Sequence, residues 1–225
     1  MFYIFQEVDF MQLTIREPGS AITHFIGCLM ALLAATPLLV KASANTTSEL
    51  AMSIFAASMV LLYGASTTYH SLSHVSAKVL CIFRKLDHMM IFVLIAGSYT
   101  PVCMIILGGK MGYTLLAFVW GVAIIGMITK ACWITCPKWF SSLVYIAMGW
   151  ICVLAFRQIV LALPKSAFLW LLTGGLIYTA GGIIYALKLP IFNAKHKNFG
   201  SHEIFHLFVM GGSLCHYVMM YAFVA

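Results

Sequence analysis

The 225-residue chain is 63% hydrophobic and only 8% charged, with a mean hydropathy of +1.00, whereas a soluble domain carries roughly 25% charged residues. That balance excludes water as the main solvent. The net charge of +7 is then explained by cationic loops facing anionic headgroups, and it requires no nucleic-acid partner.

The first 19 residues read as a cytoplasmic tail. Met1 to Gln12 carries Glu7 and Asp9, lacks a basic leader and shows no small-residue cleavage site, so the first span is expected to act as its own signal. A hydrocarbon core about 30 Å thick needs about 20 apolar residues to cross it as a helix. Seven such runs follow: Ser20–Val40, Glu49–Leu72, Phe83–Leu107, Gly112–Thr129, Phe140–Leu161, Ala167–Leu187 and His202–Phe223. The fold class predicted is therefore an all-α membrane protein, a seven-transmembrane-helix bundle forming one domain over residues 1–225. Trp133 and Trp139 flank the cationic break between the fourth and fifth runs, as interfacial anchors do. The glycines at 174–175, 181–182 and 211–212 suit close helix approach in lipid. Cysteines 28, 81, 103, 132, 136, 152 and 215 fall mostly inside apolar runs and read as buried thiols, not a disulfide frame.

Lys and Arg divide unequally between the two sides. Arg16, Lys78, Arg84, Lys85, Lys130, Lys138, Lys188, Lys195 and Lys197 share the N-terminal side; Lys41, Lys110, Arg157 and Lys165 take the other. The positive-inside rule then predicts a cytoplasmic N-terminus and an outside C-terminus, the reverse of a G-protein-coupled receptor.

Ionisable residues inside membrane spans are costly and mark function. Ser66 and His70 lie at the end of the second run, Asp87 near the start of the third, and His202 and His206 at the start of the seventh, all on the predicted cytoplasmic side. Positions i and i+4 share a helix face, so His202 and His206 can aim two imidazoles at one point. With His70 they make three nitrogen donors with a fourth position open to water, the pattern of a catalytic zinc site. His74 continues the series Ser66, His70 and competes for the third place, but lies farther into the loop. Asp87 either contacts the metal's water or pairs with Arg84 or Lys85. His24, His88, His196 and His216 read as packed or hydrogen-bonding histidines. His202-Glu203-x-x-His206 also matches the H-E-x-x-H protease motif, yet no third ligand follows at the required spacing, and Glu203 reads as an acid in a first helical turn.

These residues resemble the haemolysin III-related family, the bacterial branch of the progestin and adiponectin receptor superfamily. The resemblance runs through Glu17-Pro-Gly-Ser-Ala-Ile-Thr-His24, Tyr63-Gly-Ala-Ser-Thr-Thr-Tyr-His70, Lys85-Leu-Asp-His88 to Ala96-Gly-Ser-Tyr-Thr-Pro101, Tyr145-Ile-Ala-Met-Gly-Trp150, the two histidines His202 and His206, and Gly211-Gly-Ser-Leu-Cys-His216. It implies a seven-helix bundle in the plasma (inner) membrane, zinc held by His70, His202 and His206, and Asp87 beside the metal's water with Ser66 next to it. It implies no fixed acid at Glu203 and leaves open whether Glu17 keeps a role. The activity it suggests is hydrolysis of a lipid amide or ester, as in alkaline ceramidases, with Asp87 and Ser66 as catalytic residues and membrane lipids as partners. A non-enzymatic lipid sensor with structural zinc is the alternative, and a cytolysin the third reading.

Overall fold

The computed structural model describes residues 14–187 and 199–225. Its elements are helical throughout, and seven helices are long and apolar enough to cross a membrane: α1 (Pro18–Ala42), α2 (Thr46–Ser71), α3 (Ala77–Leu107), α4 (Gly109–Cys132), α5 (Lys138–Ala162), α6 (Lys165–Leu187) and α7 (Ser201–Phe223). Residues 188–198, with Lys188, Lys195, His196 and Lys197, lie outside the described residues, as does most of the N-terminal tail.

Local chemistry fixes the ends. Pro18 occupies the first turn of α1, where its missing N–H costs nothing. The Asn45 side chain accepts from Thr47 N and Ser48 N at 2.9 and 3.1 Å, capping α2. Ser76 caps α3 by accepting from Val79 N. α3 therefore starts at Ala77, not at Phe83 as hydropathy alone suggests, because the cationic turn with Lys78, Arg84 and Lys85 is helical despite its polarity. Asp87 consequently lies nearly three turns into its helix, deeper than expected.

Two spans depart from regular α-helix. α3 ends in a π-helical stretch, Val102–Leu107, directly after Pro101, and Gly108 and Gly109 then reverse the chain at φ +57° and +51°. α5 is interrupted by a 3₁₀ stretch, Trp150–Ala155, where the sequence gives a single uninterrupted apolar run. The Tyr99 hydroxyl enters this break, donating to Gly149 O at 2.6 Å and accepting from Cys152 N at 2.8 Å. A side chain inserted into the helical ladder is a recognised cause of such breaks.

Each span packs on its sequence neighbour, α3 also reaches α5, and α1 packs against α7. The chain thus closes into a ring. α1 and α7 run parallel in near-constant register: Ser20 meets Glu203, Thr23 meets His206, the Tyr217 hydroxyl donates to Ala34 O, and Lys41 donates to Tyr221 O. Outward faces of α1, α4 and α5 carry Leu33, Val40, Ile125, Leu154 and Leu161, a surface suited to lipid. The core centres on Phe55, Met52 and Phe92 from α2 and α3, with Met219 and Met220 from α7.

Alternate glycines do the close packing expected of them. A Cβ on Gly174 would lie 2.4 Å from the His216 ring, one on Gly181 2.6 Å from Phe208, and one on Gly212 2.8 Å from Tyr178, whereas Gly175 faces open space. All seven cysteines are free, but Cys81 and Cys132 are exposed. Both belong to helix termini with outward-facing positions, which an apolar setting in the sequence does not distinguish from the interior.

Candidate metal centre

The end of α2 and the start of α7 meet where the ring closes. His70 is buried at 1% exposure and His206 at 2%; His202 is half-buried. Each of the three offers a ring nitrogen, and these atoms all lie within 4.8 Å of one another. His70 Nε2 and His202 Nε2 stand 3.3 Å apart. The ring centroids are separated by 5.0 Å for His70–His202, 5.3 Å for His70–His206 and 4.5 Å for His202–His206.

The imidazoles are oriented from α1. Glu17 Oε2 bonds His70 Nδ1, and Thr23 Oγ1 bonds His206 Nδ1 at 3.1 Å. With a carboxylate on Nδ1, that nitrogen of His70 carries the proton and Nε2 is left as the donor lone pair. The Glu17 backbone N–H also donates to His70 O at 3.0 Å, fixing the start of α1 on the end of α2. Its carboxyl is brought down to about 2, chiefly by the bond to His70, with the His70 and Arg16 charges adding to this against partial burial. Arg16 is held in turn over the Tyr69 ring at 4.3 Å.

Three converging imidazole nitrogens, and a His202 Nδ1 that has no partner, fit a divalent cation of the borderline-soft kind. The group as it stands could hold a metal ion.

The other sequence candidates divide. Asp87 is buried but not one of the converging group: its Oδ2 approaches His88 Nδ1 at 3.3 Å. It does not pair with Lys85, whose ammonium caps α4 at Ala131 O. Ser66 is buried one turn deeper than His70, with no partner for its Oγ. His74 is exposed, at φ +56°, and bonded to Thr14 Oγ1 at 2.7 Å, away from the cluster. Glu203 Oε2 accepts from Gly200 N at 2.7 Å and Oε1 accepts from Ser20 Oγ at 2.5 Å, so it caps α7 and ties it to α1. His24 is the residue that sequence reasoning underrated. It is buried, its ring stacks on His206 at 3.6 Å, and both its nitrogens lack partners. Its stacking partner belongs to another helix, so no local spacing in the sequence signals it.

A cavity of about 230 Å³ opens from the cluster into the ring interior, walled by Asp87, His202 and His206 at one end and by Leu94, Phe168 and Leu172 farther along.

Seven spanning helices closed around a buried histidine cluster define a multi-pass integral membrane protein with a candidate metal centre. The chain belongs to the haemolysin-III related family, whose model matches residues 12–217. It is 40% identical over 200 residues to Hemolysin-3 of Bacillus cereus, covering 88% of this chain and 87% of that protein. It is 37% identical over 203 residues to the Hemolysin-3 homolog of Bacillus subtilis, with 89% and 91% covered. At greater distance, it is 30% identical over 225 residues to the progestin and adipoQ receptor-like protein 1 of Caenorhabditis elegans, covering 89% of this chain and 50% of that protein.

Proposed function

We propose that this is a zinc-dependent hydrolase of a membrane-lipid amide or ester, acting in the plasma (inner) membrane with its centre on the cytoplasmic side. The observation that carries the reading is the continuity of the histidine cluster with a largely apolar cavity in the ring, which suits a lipid presented tail-first. His70, His202 and His206 hold the ion. When bound, zinc supplies Lewis acidity toward a carbonyl and acidifies water to a pKa near about 7.

The chain's own groups do the rest. Asp87, on the cavity wall, takes the proton of the attacking water and returns it to the leaving group. The Ser66 hydroxyl, with no partner of its own, donates toward the oxyanion as it develops. Glu17 and Thr23 keep the imidazoles aimed. A second reading, a zinc-stapled lipid sensor, is favoured by the pairing of Asp87 with His88, which engages the carboxylate in a contact that needs no turnover.

Asp87→Asn separates the two. Zinc should be retained, because Asp87 is no ligand, while lipid cleavage should fall about 10²–10⁴-fold, the scale of general acid–base catalysis. Stoichiometric zinc in a wild type that cleaves no ceramide, phospholipid or acyl amide would replace the hydrolase with the sensor.

A further inference from the structure

A second polar cluster lies where α4 hands over to α5, outside the histidine centre. Lys130, in the last turn of α4, is 3% exposed. Its ammonium donates to Ser141 Oγ at 2.5 Å and to Cys136 Sγ at 3.0 Å, and the sulfur and Ser141 Oγ stand 3.2 Å apart. The Tyr145 ring centroid is 5.8 Å from the same nitrogen. Among the described residues no carboxylate lies within ion-pair distance of Lys130. A buried ammonium requires a counter-charge, and of its two hydrogen-bond acceptors, Ser141 Oγ and Cys136 Sγ, the sulfur is the one that ionises readily.

We propose that Cys136 is a redox-modification site, a thiolate held by Lys130 and Ser141 that is oxidised by hydroperoxides to a sulfenic acid. The thiolate attacks the hydrogen-bearing oxygen of the peroxide. An S–O bond forms as the O–O bond breaks, two electrons pass from sulfur to the peroxide, and the leaving alkoxide or hydroxide takes a proton from the Lys130 ammonium. The products are Cys–SOH and an alcohol or water, with Lys130 left neutral.

The surroundings favour this on every side. Burial pushes the Cys136 thiol up, but hydrogen bonds from Lys130 and Ser141, with the charges of Lys130 and of Arg84 from α3, outweigh it and hold the thiol below its ordinary range. Tyr145 of α5 and Tyr185 of α6 are the other titratable groups close to the sulfur. Cys136 keeps 8% exposure beneath a short loop whose Trp133, Thr135 and Pro137 are open. Cys132 and Cys81 are exposed and serve as internal references.

The test is peptide-resolved alkylation of the full chain in lipid nanodiscs across pH 5 to 10. The midpoint for Cys136 should fall below the about 8.5 of a free thiol. Lys130→Met should raise it by at least about one pH unit, cutting labelling at pH 7 about 10-fold, while Lys130→Arg preserves it. If Lys130→Met does not fold, Ser141→Ala, which removes one of the two donors, should raise the midpoint by a smaller step. Dimedone trapping after hydrogen peroxide or a fatty-acid hydroperoxide should mark Cys136 before Cys132 or Cys81, and the faster of the two oxidants identifies an aqueous or a membrane source. A Cys136 midpoint at or above about 8.5, a midpoint indifferent to both variants, or sulfenic acid confined to Cys132 and Cys81 would overturn the proposal and leave the cluster as a structural tie between α4 and α5.

Discussion

Glu17 shows how much a single side chain can govern at a site it does not line. Its carboxylate fixes the proton of His70 on Nδ1, so the nitrogen turned toward His202 is the one with a free lone pair. Replacing Glu17 by Gln removes the charge and lets the imidazole choose its tautomer; zinc affinity, measured by competition with a fluorescent chelator, should drop about 10–100-fold. His74→Ala, at an exposed residue bonded to Thr14 and apart from the cluster, should leave affinity unchanged. His202→Ala should take zinc content toward zero and lower the thermal midpoint, because an ion bound only by the native state stabilises it by linkage; full zinc retention in that variant would discard the centre. The four-residue spacing of His202 and His206 was legible in the sequence, since helical periodicity alone puts them on one face. The bond from Glu17 to His70 was not, because it joins positions 53 residues apart in different elements and follows no period. His24 was hidden for a related reason: its stacking partner, His206, is 182 positions away, and a lone apolar-flanked histidine carries no hint of that neighbour.

At the scale of the element, hydropathy located all seven spans but not their interruptions. The π-helical end of α3 could be suspected from Pro101, yet the 3₁₀ break in α5 has no proline, and its cause, the Tyr99 hydroxyl, comes from another helix. Tyr99→Phe should destabilise the bundle by about 1–3 kcal/mol, the cost of leaving buried backbone groups unpaired, and hydrogen exchange should rise locally around residues 149–152. The reversal after α3 is equally exacting. A Cβ at Gly112 would stand 2.1 Å from Cys103 O, a backbone atom, whereas one at Gly121 of the same helix would meet nothing within 4 Å. Gly112→Ala should therefore lower stability by about 1–3 kcal/mol or more, and Gly121→Ala should be near neutral in the same thermal assay.

For the molecule as a whole, the charge count yields an orientation that geometry alone does not supply, since helices long enough to cross carry no label for inside and outside. With the basic residues concentrated on the N-terminal side, a reporter fused after Ala225 should behave as extracytoplasmic and one inserted within residues 188–198 as cytoplasmic; a cytoplasmic reading after Ala225 would reject the orientation. The ring has its seam between the first helix and the last, and the histidine cluster straddles that seam: α2 supplies one imidazole, α7 the other two, and α1 the groups that steer them. During synthesis the chain enters the bilayer in order, so a nascent protein lacking only its final helix owns one of the three converging imidazoles and a Ser20 whose partner, Glu203, is still to come. Metal capture thus becomes possible only once the last span has docked beside the first. An ion in the proposed centre would act as a clasp on a finished barrel of helices, and chains deprived of it would be fully inserted yet open along one side.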